Sequence, residues 1–456
     1  MINAFICPIE ENAFKRPHHP AIILKDKVLS YHNLNEAVTA TADHLCDSGF
    51  LKKDRVAILA PSSAEYIILL FALWRIKAIP CLFSPRLPKK IFDQQIFRLQ
   101  CRHKLVSPSL TLPTLVPSGL GGREFKFNSP PLVGGVRGGG ENKSSPKYFY
   151  RFDQDADIIF TSGTTGQPKA ALHTLGNHYF SAKGANQHIP FSSNDRWLLS
   201  LPLYHVGGLA ILFRVFLAGG TLVIPDSQDS LQKNLKRYKI THVSFVPTQL
   251  YRLLKARSSI WKKNFKVILL GGASIPESLI KKAVQNKLPV YLTYGLTEMS
   301  SQVATSKKFQ RLGQILLYRQ LRIAHNGEIL VKGKTLFKGY VNGRKIQRPL
   351  EDGWFRTGDL GQLNKKGLTV LGRKDRMFIS SGENIQPEEI EGYLKKRKEI
   401  EEVFVVSKSH AEFGSRPVAF VKIKKGKRFN PVQLKSHLQK YLPKFKIPDQ
   451  FYKLRT

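Results

Sequence analysis

Short hydrophobic runs alternate with longer amphipathic stretches between residues 21 and 88. The runs Ala21–Leu24 and Arg55–Ala60 have the length of buried strands, whereas the stretch that ends near Leu45 and the one that begins near Ala64 have the pattern of helices. Strands and helices in this order are typical of βαβ units on a parallel sheet. The pattern therefore predicts an α/β fold.

The alternation resumes at Asp157, and several later apolar runs end directly in Gly, Pro, Ser or Thr: WLLSLPL, GGTLVIP, THVSFVP, VILLGG and PVYLTYG. Because ligands bind at the carboxyl ends of strands in open α/β sheets, we expect a site at these strand ends. From Gly327 the pieces become shorter and more β-like, and a smaller α+β pattern follows Arg373. We predict a large domain over residues 1–371 and a small one over 372–456.

Composition and charge exclude several classes of protein. Hydrophobic residues at 42% and charged residues at 23% are ordinary for a packed globular enzyme. Gly, Pro and Ser dominate only residues 112–147, which we predict to be an inserted surface loop. The net charge of +39 would attract phosphates, nucleic acid or anionic lipid. Since Lys and Arg are spread along the chain without a nucleic-acid recognition motif, a solvated basic surface is preferred and no nucleic-acid partner is expected.

The cysteines and the most apolar stretch bear on the compartment. The four cysteines form neither a CxxC pair nor a set with histidines at metal-ligand spacing: Cys7, Cys46, Cys81 and Cys101. The stretch Tyr66–Phe83 is interrupted by Arg75 and Lys77, so it falls short of the roughly 20 apolar residues of a membrane helix. The charged residues near the N-terminus do not fit a secretory leader. We expect reduced thiols, no membrane span and a cytoplasmic protein.

A loop rich in hydroxyls and glycine follows the apolar run Ile158–Phe160 and reads TSGTTGQPK, ending at Lys169. Glycines let backbone N–H groups approach a phosphate, hydroxyls donate hydrogen bonds, and Lys169 adds positive charge. The other predicted phosphate-binding residues are Thr161, Ser162, Gly163, Thr164, Thr165 and Gly166. The loop lacks the GxxxxGKS/T pattern of a Walker A loop, and a glycine-serine turn without a ligand is the alternative.

This loop resembles the signature of the acyl-adenylate-forming superfamily, which includes acyl-CoA synthetases, luciferases and the adenylation domains of peptide synthetases. Four more motifs have similar counterparts there in the same order: LLGGA from Leu269, YGLTE from Tyr294, GWFRTGD from Gly353 and GRKD from Gly372. The resemblance implies a large N-terminal domain of parallel and mixed sheets flanked by helices, with a distorted β-barrel. It also implies a small α+β C-terminal domain joined by a hinge.

The same resemblance implies roles for individual residues. Thr297 would touch the α-phosphate, and Glu298 would bind Mg²⁺, which prefers oxygen ligands such as carboxylates. Lys169 and His205 complete the implied catalytic set, and Asp375 would be the hinge pivot. The remaining implied nucleotide-binding residues are Gly271, Gly272, Ala273, Tyr294, Gly295, Asp359 and Arg373.

Enzymes of this superfamily use ATP and Mg²⁺, and the ligases among them use CoA as a second co-substrate. The carboxylate of an acid attacks the α-phosphorus of ATP and gives an acyl-adenylate and pyrophosphate. The small domain then rotates, and the CoA thiol displaces AMP. Catalysis rests on positioning, charge neutralisation and domain motion. The expected partners are therefore a small carboxylic acid, ATP and CoA.

Three stretches resemble the o-succinylbenzoate:CoA ligases of menaquinone biosynthesis in particular: Leu201–Gly208, Ser381–Glu391 and Glu412–Val418. Pro387 and the acidic residues after it also suit the start of a helix, which explains part of the second stretch without any substrate. A ligase for another aryl acid or for a fatty acid stays an alternative.

Two side chains are candidates for contact with the acid. His205 precedes two glycines after an apolar strand, where its ring can gate the acid pocket or form hydrogen bonds in the core. Arg214 is the one charge in the run Leu209–Gly220, and a buried arginine needs an anion. The resemblance implies o-succinylbenzoate as the acid, and its second carboxylate would be that anion. An arginine that extends to the surface is the alternative.

The superfamily normally has a lysine in a Gly-Lys turn near the C-terminus, and this lysine reaches the α-phosphate and the acid. The chain contains the preceding stretch, Leu442–Tyr452, and the sequence ends at Thr456 without that lysine. Lys444 and Lys446 belong to this preceding stretch, so neither takes the position of the lysine in the Gly-Lys turn. We expect weak ATP–pyrophosphate exchange by this chain and a better retained thioester half-reaction. A nucleotide-binding homologue with impaired adenylation is a further alternative.

Overall fold

The computed structural model describes residues 3–25, 27–106, 114–117, 125–126, 146–161, 168–255, 264–273, 275, 277–306, 313–365, 367–374 and 377–454. Five predicted loop residues and the predicted hinge pivot lie outside these ranges: Ser162, Gly163, Thr164, Thr165, Gly166 and Asp375. The architecture is α/β with mixed sheets, followed by a small α+β unit, which confirms the predicted fold class.

Helices and strands alternate along most of the chain. Up to residue 126 they are β1 (Ala4–Ile6), α1 (Pro8–Lys15), β2 (Pro20–Leu24), β3 (Lys27–Ser30), α2 (Tyr31–Asp47), β4 (Arg55–Leu59), α3 (Ala64–Arg75), β5 (Ile79–Phe83), α4 (Lys89–Leu99), β6 (His103–Val106), β7 (Thr114–Pro117) and β8 (Phe125–Lys126). From residue 149 they are β9 (Phe149–Arg151), β10 (Asp155–Thr161), β11 (Lys169–Thr174), α5 (Leu175–His188), β12 (Arg196–Leu198), α6 (Val206–Ala218), β13 (Thr221–Ile224), α7 (Leu231–Arg237), β14 (His242–Phe245), α8 (Pro247–Lys255), β15 (Val267–Leu270), α9 (Glu277–Gln285), β16 (Val290–Leu296), β17 (Ser301–Thr305) and β18 (Gln314–Ile315). The last part contains β19 (Arg319–Ile323), β20 (Glu328–Gly333), β21 (Gly339–Asn342), β22 (Lys345–Gln347), β23 (Leu350–Glu351), β24 (Trp354–Asn364), β25 (Gly367–Arg373), β26 (Phe378–Ser380), β27 (Glu383–Ile385), α10 (Pro387–Lys395), β28 (Ile400–His410), β29 (Gly414–Ile423), α11 (Pro431–Gln439) and β30 (Gln450–Lys453).

The first large sheet has the strand order β22-β21-β11-β10-β5-β4-β6-β7-β8. Strands β4 and β5 run parallel and are connected by α3, which confirms the predicted βαβ unit. β10 and β11 form an antiparallel hairpin in which Thr161 pairs with Lys169, so the two ends of the predicted phosphate loop lie side by side. β7 and β8 extend the edge of β6 as short strands, and both lie within residues 112–147, where an inserted surface loop was predicted. An unpaired sheet edge readily accepts such short extended segments.

The second large sheet has the order β18-β17-β16-β15-β14-β12-β13-β2-β3 and is parallel from β16 to β2. Helices α3 and α6 are apolar on nearly every side and are almost entirely buried. The Ser63 side chain accepts the Tyr66 N–H and caps the start of α3. No helix in the described ranges is long and apolar enough to cross a membrane.

A third sheet joins β19, β20, β24 and β23, with β25 paired to β24. The predicted distorted β-barrel is wrong here, because a barrel closes only when its outermost strands pair. β19 pairs with β20, both β23 and β25 pair with β24, and no described strand connects the two edges. Among the described strands, this sheet therefore stays open.

The final elements form a small unit with its own apolar core. Strands β28, β29 and β30 make one sheet, β26 and β27 make a hairpin, and α10 and α11 cover the core between them. The predicted helix start in the ENIQPEEIE segment is confirmed, since α10 begins at Pro387.

Candidate active site

One large cleft runs along the carboxyl ends of β14, β15 and β16 and reaches the small unit. It collects the predicted site residues that the structure describes: Thr161, Lys169, His205, Arg214, Gly271, Gly272, Ala273, Tyr294, Gly295, Thr297, Glu298, Asp359 and Arg373. Residues that are far apart in the sequence therefore meet at one site, at the strand ends where a ligand was expected.

The Asp359 carboxylate lies at the centre of a network suited to a diol. The Tyr294 hydroxyl donates to its Oδ2 at 2.7 Å, and Arg373 Nη1 donates to its Oδ1 at 3.2 Å. Burial, together with the negative charge of Asp359, raises the pKa of Tyr294 well above its ordinary value. The phenol thus stays protonated and fixes the carboxylate. An aspartate held in this way can accept hydrogen bonds from two vicinal hydroxyls.

Glu298 is nearly buried and is oriented by a tyrosine from another sheet. The Tyr340 hydroxyl donates to Glu298 Oε1 at 2.6 Å, and burial together with the charge of Glu298 raises the pKa of Tyr340. Within the described part of the chain, Oε2 of Glu298 has no hydrogen-bond donor, so one carboxylate oxygen is left for a hard cation. The Lys169 ammonium lies over the Tyr340 ring, 5.2 Å from its centroid, on the same side of the cleft.

Strand β16 forms the part of the cleft wall between β15 and β17, and its close approach to β17 requires a glycine. A Cβ atom on Gly295 would lie 2.1 Å from the Ser301 carbonyl oxygen, so only glycine lets β16 approach β17 at this point. Gly271, Gly272 and Ala273 follow directly on the buried strand β15 and present backbone to the cleft. Such an exposed backbone strip suits a flat base.

Arg214 is buried, with 1% of its surface exposed, and it lines the cleft from α6. The alternative of an arginine that extends to the surface is therefore wrong. Its Nη2 donates to Ser301 Oγ at 3.3 Å, and its guanidinium carbon lies 5.5 Å from the centroid of the Trp197 ring. It has no carboxylate within ion-pair distance among the described residues, and its Nε has no hydrogen-bond partner there. Burial lowers the pKa of Arg214 to about 9, which leaves it cationic at neutral pH.

A second buried arginine adds to this positive charge. Arg319 donates to the carbonyl oxygens of Gln302, Leu317 and Ser181, so its own hydrogen bonds are made. Burial first, and then the charge of Arg214, lowers the pKa of Arg319 to about 9. The interior behind the cleft therefore holds two buried positive charges, Arg214 and Arg319. Among the described residues, no carboxylate lies within ion-pair distance of Arg214.

The small unit contributes a wall of the cleft opposite His205. His205 Nε2 lies 3.3 Å from the Glu383 carboxylate, and its side chain is 40% exposed, so the alternative of a core histidine is wrong. Burial alone would raise the pKa of Glu383, but the hydrogen bond and charge of His205 hold that pKa below its ordinary value. Gly382 has φ +82°, and a Cβ there would lie 2.7 Å from Val246 Cγ1, so glycine permits the close contact between the units.

The family model of the AMP-binding enzymes matches residues 9–341, and that of the AMP-binding enzyme C-terminal domain matches residues 389–455. The chain belongs to the AMP-binding enzyme family. This AMP-binding enzyme is similar to the 2-succinylbenzoate–CoA ligase of Listeria innocua, with 31% identity over 95% of this chain and 92% of the relative.

Two solved structures of o-succinylbenzoate CoA synthetase from Bacillus subtilis are also similar to this AMP-binding enzyme. A double mutant bound with its product analogue OSB-NCoA gives a TM-score of 0.85 at 27% identity, covering 99% of this chain and 95% of that one. The complex with ATP and magnesium ion gives 0.70 at 27% identity, covering 99% and 96%. The TM-score is thus higher for the product-analogue complex than for the complex with ATP and magnesium ion.

Sequence reasoning missed one residue at the centre of this AMP-binding enzyme's site. Tyr340 lies 42 residues after Glu298 in the sequence and reaches it only because β21 pairs with β11 in the first sheet. A tyrosine after a glycine carries no local signal for this role. To place Tyr340 near Glu298 from the sequence, the pairing of β21 with β11 of the phosphate-loop hairpin would have had to be predicted.

Proposed function

We propose that this chain is an ATP-dependent ligase that activates o-succinylbenzoate as an acyl-adenylate and transfers the acyl group to CoA, a step of menaquinone biosynthesis. The 2-succinylbenzoate–CoA ligase relative and the two o-succinylbenzoate CoA synthetase structures support this substrate. The observation that carries it is Arg214, a buried cation that lines the cleft and lacks a carboxylate partner among the described residues. The substrate has two carboxylates, and Arg214 binds the one that does not react.

The nucleotide takes the side of the cleft opposite the small unit's hairpin. Asp359 accepts hydrogen bonds from the ribose hydroxyls, while Tyr294 and Arg373 hold its carboxylate in place. Lys169 and the Thr297 hydroxyl face the phosphates and offset the charge that builds up as the acid attacks the α-phosphorus. When bound at Glu298, Mg²⁺ would neutralise phosphate charge; the one carboxylate oxygen left by Tyr340 fits this cation.

The second half-reaction uses the arrangement of the two units described above. The higher TM-score against the product-analogue complex supports the assignment of this arrangement to thioester formation. His205 and Glu383 then lie across the boundary between the units, where they exclude water from the acyl-adenylate while the thiol enters. We propose that the units rotate about residues 372–375, with domains over 1–371 and 372–456.

The reaction would take place in the cytoplasm, where ATP and CoA are present. None of the four cysteines is in a disulfide, which suits a reducing compartment.

A panel of acids tests the proposed substrate. AMP release would be followed with o-succinylbenzoate, benzoate and a medium-chain fatty acid, each with ATP, Mg²⁺ and CoA. We expect kcat/KM to be highest for o-succinylbenzoate by about 100-fold or more, since a desolvated charge pair contributes about 2–5 kcal/mol. Equal or faster turnover of benzoate or of the fatty acid would contradict the assignment and favour a ligase for that acid.

A further inference from the structure

Three buried side chains connect the phosphate-loop hairpin to the turn that carries Glu298. Asp157 lies on β10, His173 on β11 and His178 on α5, and the three side chains are fully buried. His173 Nδ1 lies 3.0 Å from Asp157 Oδ1, and His178 Nε2 lies 2.6 Å from Asp157 Oδ2. None of the three side chains lines the cleft, so none of them contacts the substrates in the proposed reaction.

The geometry fixes the protonation of His173. Its other nitrogen, Nε2, lies 2.8 Å from the carbonyl oxygen of Thr297. A carboxylate and a carbonyl only accept hydrogen bonds, so both ring nitrogens must donate and the ring is an imidazolium. Burial disfavours that charge, but the hydrogen bond and charge of Asp157 outweigh it and raise the pKa of His173.

The Thr297 carbonyl is one of the points at which its turn is held. Residues Thr297–Met299 form a single 3₁₀ turn, closed by the Ser300 N–H, which donates to the same carbonyl at 3.0 Å. Ser300 follows in the left-handed region with φ 52°, a conformation that favours glycine. The Phe337 N–H donates to the Glu298 carbonyl at 2.8 Å, the Ser300 hydroxyl donates to the Thr335 carbonyl, and His173 is the side chain that holds the Thr297 carbonyl at the start of the turn.

We propose that His173 is a positioning residue: its imidazolium ties the Thr297 carbonyl to Asp157 and so fixes the Thr297 hydroxyl and the Glu298 carboxylate toward Mg²⁺ and ATP. This inference rests on the proposed use of ATP and Mg²⁺ but not on the identity of the acid. The same three side chains lie close enough to hold a metal ion, yet a metal would need unprotonated ring nitrogens, and both nitrogens of His173 donate.

Three variants separate positioning from packing. His173→Asn keeps a donor near the position of Nδ1, toward Asp157, and loses the one toward Thr297. His173→Gln places its amide near the position of Nε2 and keeps a donor toward Thr297. His178→Gln is the matched control, because it disturbs the same buried Asp157 without touching Thr297.

Binding of ATP would be measured by calorimetry at a series of Mg²⁺ concentrations, with the folded fraction of each variant known from thermal unfolding. We expect His173→Asn to raise the Mg²⁺ concentration for half-maximal ATP binding about tenfold, the scale of one lost hydrogen bond to a charged group. His173→Gln should recover most of this loss, and His178→Gln should bind like the wild type even where it unfolds more easily.

Unchanged Mg²⁺ dependence in His173→Asn, or an equal shift in His178→Gln, would overturn the proposal. If His173→Asn does not fold, the other two variants decide, because Mg²⁺-dependent binding about tenfold weaker in His173→Gln than in His178→Gln also overturns it. No acid is present in this assay. A failure of o-succinylbenzoate as substrate would appear in the acid panel and leave these results unaffected.

Discussion

Replacing Arg214 with methionine removes a buried positive charge and keeps an unbranched side chain of similar length. A carboxylate about 4 Å from the guanidinium gains about 4 kcal/mol at an effective dielectric constant of 20. The loss of water around the carboxylate offsets part of this, which leaves about 2–4 kcal/mol of net affinity. At 1.4 kcal/mol per factor of ten, Arg214→Met is expected to raise KM for o-succinylbenzoate about 30- to 700-fold.

The same variant should be at least as stable as the wild type. The folded-state pKa of Arg214, about 9, is below its ordinary value, so folding disfavours the charged form. The cost is present in full at neutral pH and is relieved as pH rises above about 9. Methionine carries no such cost. Thermal unfolding without ligand should therefore give an equal or higher Tm for Arg214→Met.

The assay compares o-succinylbenzoate with benzoate, which lacks the second carboxylate. Arg214→Met should lose most of the preference for o-succinylbenzoate, with a much smaller change for benzoate. Arg319→Met is the matched control: this arginine is also buried, but its donors are used by three backbone carbonyls, so its loss should lower Tm and leave the preference intact. Unchanged KM for o-succinylbenzoate in Arg214→Met, or an equal loss of preference in Arg319→Met, would refute the assignment of the anion site.

Further predictions concern the nucleotide and the boundary between the units. Tyr340→Phe removes the donor to Glu298 and should weaken Mg²⁺-dependent ATP binding about tenfold in calorimetry, the scale of a charged hydrogen bond; binding like the wild type would contradict the role of Tyr340. Asp359→Ala should raise KM for ATP about tenfold or more, because the ribose loses its acceptor. A 2′,3′-dideoxy nucleotide should bind both proteins equally weakly, and a difference between them would count against ribose recognition. Glu383→Gln weakens the contact with His205 and should slow thioester formation from supplied acyl-adenylate several-fold, with little effect on ATP binding; an equal loss in both would point to folding instead.

Most residues of the candidate site were named from short motifs that resemble those of the acyl-adenylate-forming superfamily, and the described ones line one cleft. The α/β order, the ligand edge of the sheet and the burial of Arg214 were predictable, since each depends on local hydrophobic pattern. Tyr340 and His173 were not, because their partners lie 42 and 124 residues away and are reached only through sheet pairing. The expected barrel was wrong for a related reason: closure depends on which strand edges meet, and hydrophobic pattern does not specify this.

The most direct test of the proposed activity is mass spectrometry of a mixture of the protein with o-succinylbenzoyl-adenylate and CoA, beside a second mixture that starts from o-succinylbenzoate, ATP, Mg²⁺ and CoA. We predict o-succinylbenzoyl-CoA in both, with one AMP released per thioester and pyrophosphate formed only in the second mixture. Absence of the thioester from both mixtures, while another acid yields its CoA thioester, would contradict the assignment.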